Sequence, residues 1–65
     1  MTINELKSEI CETFNRDLGF SPSKKHIALL EIIEDSYIQA DFHVNGIEYR
    51  INIDRYSYNR EIVRL

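Results

Sequence analysis

Two eight-residue stretches, Tyr37-Ile38-Gln39-Ala40-Asp41-Phe42-His43-Val44 and Ile47-Glu48-Tyr49-Arg50-Ile51-Asn52-Ile53-Asp54, alternate strictly and are joined by the pair Asn45-Gly46. No other feature of the chain restricts its fold so tightly. Alternation with period two is the pattern of a strand with one face buried. Asn-Gly supplies the positive φ angles of a two-residue type I′ turn, whose twist matches the strands on either side. The turn fixes the register: Val44 faces Ile47, Phe42 faces Tyr49, Ala40 faces Ile51 and Ile38 faces Ile53. These pairs share one face. On the other, His43 meets Glu48, Asp41 meets Arg50 and Gln39 meets Asn52. A slip of one residue would scramble both faces, and the opposite-charge pairs, which play no part in setting the register, agree with it.

An isolated hairpin is not stable in water, so the rest of the chain must cover its apolar face. Residues 3–18 read as a helix. Thr2-Ile3-Asn4-Glu5 is a capping box, in which the Thr2 hydroxyl accepts from the Glu5 amide and Glu5 reaches back. Ile3, Leu6, Ile10, Phe14 and Leu18 then recur at helical spacing, with Cys11 widening the stripe. Gly19 suits the left-handed position past the helix end. Residues 21–25 form a connector around Pro22.

Residues 26–34, His-Ile-Ala-Leu-Leu-Glu-Ile-Ile-Glu, fit two descriptions. Pro22 at a first helical position favours a helix. Against it, Lys24 and Lys25 would lie at the positive end of the dipole and Glu34 and Asp35 at the negative end. A short, Ile-rich run ended by Asp35-Ser36 reads as a strand over about 26–33. As a strand, its aliphatic residues occupy both faces: one set, Ala28/Leu30/Ile32 or Ile27/Leu29/Ile33, packs under the helix. The other is left for the C-terminal segment, a second subunit or a partner to cover. Residues 57–65 form a short C-terminal element, a helix capped by Ser57 or Asn59 with Ile62, Val63 and Leu65 inward, or an edge strand over 61–65. The expected architecture is α+β: an N-terminal helix packed on a three-stranded antiparallel β-meander with a short C-terminal helix or edge strand.

Sixty-five residues make one small domain of marginal stability. One cysteine excludes an internal disulfide, and two histidines with it do not make a zinc-finger set. Oligomerisation is the remaining staple. A solitary Cys without a leader pattern suggests a reducing, cytoplasmic setting, and no stretch approaches a membrane span. The net charge is −3, split into −5 over residues 1–48 and +2 over residues 49–65. An acidic body disfavours non-specific nucleic-acid binding.

Chemistry-bearing residues are sparse. Cys11 sits among helix-face apolar residues, with no base tied to it by any pattern. Asp41, His43 and Glu48 share a strand face that reads as a solvated, charge-paired surface. Gly19 and Gly46 are explained by backbone geometry, which leaves no phosphate-binding loop. No catalytic residue, cofactor or metal ligand is expected. Two surfaces stand out for binding. One is the cluster Arg55, Tyr56, Tyr58, Arg60 and Arg64, rich in the residue types of interface hot spots and suited to stacking on single-stranded bases. The other is the surplus apolar set of the first strand, Ile27, Leu29 and Ile33. In size, acidity and α+β style the chain resembles phage-encoded proteins that bind and inhibit bacterial defence enzymes. With the missing chemistry, the surplus apolar strand and the Arg/Tyr end, the resemblance leads to the expectation of a small non-enzymatic protein that binds and modulates, or inhibits, a larger one; a protein partner or self-association is the expected contact. A nucleic-acid-contacting module using the Arg/Tyr segment is the alternative.

Overall fold

A computed structural model describes residues 1–65. Helix α1 (Ile3–Leu18) is followed by a 3-10 turn (Lys24–His26) and four strands, β1 (Ile27–Glu34), β2 (Tyr37–Val44), β3 (Ile47–Asp54) and β4 (Arg60–Arg64). The strands pair antiparallel in chain order, β1-β2-β3-β4. The sheet thus has four strands, the three expected of the meander and the edge-strand alternative for the C-terminal element, and the class is α+β.

The helix begins and ends as its sequence dictates. The Thr2 amide donates to Glu5 Oε1 at 2.9 Å and the Glu5 amide to Thr2 Oγ1 at 3.1 Å. Gly19 closes the other end at φ 80°, its amide bonded to the Asn15 carbonyl, a conformation in which a Cβ would be strained. Leu6, Ile10 and Phe14 are buried against the sheet, while Ile3 and Leu18 lie half exposed at the helix ends. Thr13 is buried with them, its hydroxyl satisfied by the Glu9 carbonyl at 2.7 Å.

The β2–β3 ladder has every pair expected of it, from Ile38↔Ile53 to Val44↔Ile47, with Asn45 at φ 52° and Gly46 at φ 78°. Ile38, Ala40, Phe42, Val44, Ile51 and Ile53 form the sheet side of the core. Phe14 packs edge-on against Phe42 at 6.0 Å and Tyr49 at 5.0 Å, the favoured geometry for aromatic quadrupoles. On the open face Arg50 grips Asp41 with two hydrogen bonds of 2.7 and 3.1 Å, and His43 Nε2 lies 3.2 Å from Glu48.

The segment 27–34 is a strand, but neither of the two expected residue sets is the inward one. Leu29 pairs with Phe42 and Glu31 with Asp41, so Leu30 is an extra residue bulged out of the ladder. One extra residue reverses the alternation. Ile27 and Leu29 face the helix side before the bulge, and Ile32, opposite Ala40, faces it afterwards. Ile33 lands on the open face opposite Gln39.

The C-terminal element is a strand, not a helix. Its pairing with β3 runs from Arg60↔Ile53 to Arg64↔Tyr49. Alternation puts Ile62 against the core and turns Val63 and Leu65 outward, so the three inward residues of a helix are not found. β3 holds a second row of backbone groups that a short helix would have left unpaired, and strand pairing satisfies them.

Candidate protein-interaction surface

An antiparallel meander carries its first and third turns to the same end of the sheet. The helix starts there too. The Met1 amine lies 3.7 Å from Glu34, and Arg55 Nη1 donates to the Asp35 carbonyl at 2.8 Å, tying the β3–β4 turn to the β1–β2 turn.

The β3–β4 turn, residues 55–59, is organised from within. The Asp54 carboxylate accepts the amides of Tyr56 at 2.8 Å and Ser57 at 3.2 Å. These two amides hold its pKa below the ordinary carboxylate range. The Tyr58 amide returns to the Asp54 carbonyl, and the Asp54 amide donates to the Asn59 carbonyl, both at 2.9 Å. This leaves Tyr58 at φ 59°, a left-handed conformation that is an outlier for a bulky residue. Tyr56 is 88% exposed and Tyr58 74%. Between Tyr58 and the helix start is a recess of about 250 Å³ lined by Met1, Glu5, Ile38, Ile53 and Arg55. The turn therefore presents two aromatic rings on a hydrogen-bonded support, beside a partly apolar hollow. The arrangement offers apolar area, ring faces and phenol hydroxyls, with the Glu5 carboxylate and the Arg55 guanidinium beside them.

Of the residues expected to form a binding surface, Arg55, Tyr56 and Tyr58 are together. Arg60 is not free. Lying on β4 on the helix side, it donates through Nη1 to Glu9 and, at 3.0 Å, to Glu12, which together raise its pKa above the ordinary arginine value. Its carbonyl accepts from Arg16 Nη2 at 2.6 Å, and Arg16 in turn pairs with Asp17 at 2.7 Å. Arg64 lies at the opposite end of β4, beside Phe14, Asp17, Leu18, Tyr49 and Ile62. The alternation of a strand places both arginines beside the helix, away from the tyrosines. Ile27 is buried and Leu29 packs against the core, so of the second expected surface only Ile33 remains exposed. Sequence reasoning missed the contribution of Met1 and Glu5 to this end, and that Tyr37 stands level with Asp54 at the start of the turn. The signal was available in the topology: strand lengths of eight and two-residue turns bring residues 37 and 54 level.

Elsewhere, the Cys11 thiol is half-buried and donates to the Pro22 carbonyl at 3.2 Å. No cluster of three or more His, Cys, Asp or Glu side chains is placed to hold a metal ion. No helix is long and apolar enough to cross a membrane. Comparison with protein-family models, with curated proteins and with solved structures finds no match.

Proposed function

We propose that this chain is a small non-enzymatic interaction protein that binds a larger protein through the β3–β4 turn and modulates it by occupying its surface. The observation that carries the reading is Tyr58, a solvent-exposed ring kept in a backbone conformation that glycine or asparagine would adopt at lower cost. Strain of this kind persists where something other than stability selects the side chain. Its neighbours fit a protein contact: Tyr56 and Arg55 are hot-spot residue types, and the recess beside them offers a socket for a partner's side chain. Inhibition of an enzyme is the form of modulation such a contact would most simply produce.

The nucleic-acid reading has less support. Glu5 lines the recess beside Tyr58, the Asp54 carboxylate caps the turn, and two glutamates engage Arg60, which leaves Arg55 as the turn's cation without a carboxylate partner. Phosphate contacts need free cations. Affinity capture with the wild-type chain and with a Tyr56→Ala/Tyr58→Ala variant tests the proposal, followed by calorimetric titration of any protein that only the wild type retains. The expected result is a partner whose affinity falls at least about tenfold in the variant, the loss of one hot spot. Equal retention by both forms would sink the proposal. Salt-dependent binding of a single-stranded oligonucleotide would favour the alternative.

A further inference from the structure

β1 is an eight-residue edge strand whose outer backbone groups have no neighbouring strand. Leu30, Ile32 and Ile33 are exposed along it, Leu30 at 54%. A long edge, apolar but for Glu31 at its centre, is a template for pairing. The charges at its ends indicate with what. Lys24 and Lys25 precede the strand, and Glu34 and Asp35 end it. Neither Lys25 nor the Asp35 carboxylate takes part in an ion pair within the chain. Laid antiparallel, two copies of this strand bring the basic start of each against the acidic end of the other. The second open edge, β4, has the opposite character: Arg60 and Arg64 bracket it, so an antiparallel copy centred on Ile62 would set arginine against arginine.

The bulge decides the register. It puts residues 27, 29, 32 and 34 on the helix side of the sheet and 28 and 33 on the open side. An antiparallel copy centred between Leu30 and Glu31 then places Leu29 beside the partner's Ile32, Ala28 beside the partner's Ile33 and Ile27 beside the partner's Glu34. Each pair shares a face. Without the extra residue, all three would fall on opposite faces. We propose that a second copy of this chain pairs antiparallel along β1, about a two-fold axis at the bulge, to give one continuous eight-stranded sheet with both helices on the same side. The ladder is interrupted at its centre, so the dimer is reversible, and the exchange of charge at the two ends sets its orientation. This contact uses a different surface from the tyrosine turn, and its failure leaves the heterologous contact proposed above standing.

The test is sedimentation equilibrium of the wild-type chain, of Lys24→Glu/Lys25→Glu, of Glu34→Lys/Asp35→Lys, and of an equimolar mixture of the two variants, each first checked for native circular dichroism. The wild type is expected to dimerise. Each variant alone should dissociate at least about tenfold more readily, since every end contact becomes a like-charge contact. Mixing them should restore dimer, because in the mixed pair both ends are again opposite in charge. Ile33→Lys, at an exposed position on the open face, provides a second disruption independent of the end charges. A wild type that stays monomeric at millimolar concentration would overturn the proposal, as would a dimer indifferent to these substitutions or a mixture that does not recover.

Discussion

Replacing Tyr58 with glycine should make the protein more stable, although it deletes a whole aromatic side chain. At φ 59° the backbone of Tyr58 lies in the left-handed region, which costs a residue with a Cβ about 1–2 kcal/mol. Glycine removes that cost and adds freedom to the unfolded chain, worth about 0.4–1 kcal/mol in the other direction. The ring is 74% exposed, so little burial is lost with it. The net expectation is a gain of about 0.5–1 kcal/mol, or a rise of about 4 °C in Tm for a domain of this size. Urea denaturation of wild type, Tyr58→Gly, Tyr58→Asn and Tyr58→Ala would measure it. Alanine keeps the strain and loses the ring, so it should match or fall slightly below the wild type. The order expected is Gly above Asn above Tyr. If glycine is less stable than alanine, the strain is not real, and the argument that a partner selects Tyr58 fails with it.

Three other substitutions probe the scaffold. Gly46→Ala should cost about 0.5–1 kcal/mol in urea denaturation, the left-handed cost less the freedom removed from the unfolded chain, all of it conformational, because a Cβ there would meet nothing within 4 Å; a neutral result would mean the hairpin turn relaxes. Ile10, fully buried on the sheet-facing side of the helix, should cost about 2–5 kcal/mol as alanine, against a total of only about 3–10 kcal/mol for a chain this short, so circular dichroism at 37 °C should show a large unfolded fraction. Asp41 responds to pH. Its hydrogen bonds from Arg50 hold the folded carboxyl below its ordinary pKa, as the Tyr56 and Ser57 amides do for Asp54. A folded pKa below the unfolded one gives stability that is fully present above the unfolded value and is lost as pH falls through the folded value. Thermal melts should therefore hold steady down to about pH 5 and decline below about pH 4. Asp41→Asn should flatten that decline, and a midpoint rising into acid would contradict the assignment.

The parts of this fold written in local pattern were legible in advance. The capping box, the helical stripe and the Asn-Gly hairpin each follow from interactions among near neighbours in sequence, and the helix and the ladder have the expected limits. Two features were not legible because tertiary packing sets them. A bulge at Leu30 leaves little mark in a run of Ile, Leu and Ala broken only by Glu31, since the aliphatic residues there tolerate either face. The C-terminal segment, with Ser57 and Asn59 available as caps, has local preferences for a helix, and the open edge of β3 overrides them. The binding surface was half legible for the same reason. Arg55, Tyr56 and Tyr58 share a turn and stay together, but Arg60 and Arg64 follow the alternation of β4 toward the helix, and the glutamates that engage Arg60 lie 48 and 51 positions away.

That last separation bears on how the molecule assembles. The turns joining the strands are two, two and five residues long, so the sheet closes by short steps of low entropic cost, each strand meeting the one before it. Nothing in the sheet requires the helix to be in place first, and a 16-residue helix alone in water is only marginally formed. The bonds from Arg60 to Glu9 and Glu12 are made across nearly the whole chain. If the helix docks after the sheet has paired, these bonds form late, and a contact formed after the transition state governs how slowly the native state is lost. Arg60 is then a latch on lifetime: Arg60→Ala should leave the refolding limb of a chevron plot where it is and lift the unfolding limb, shortening the time the core stays covered between openings.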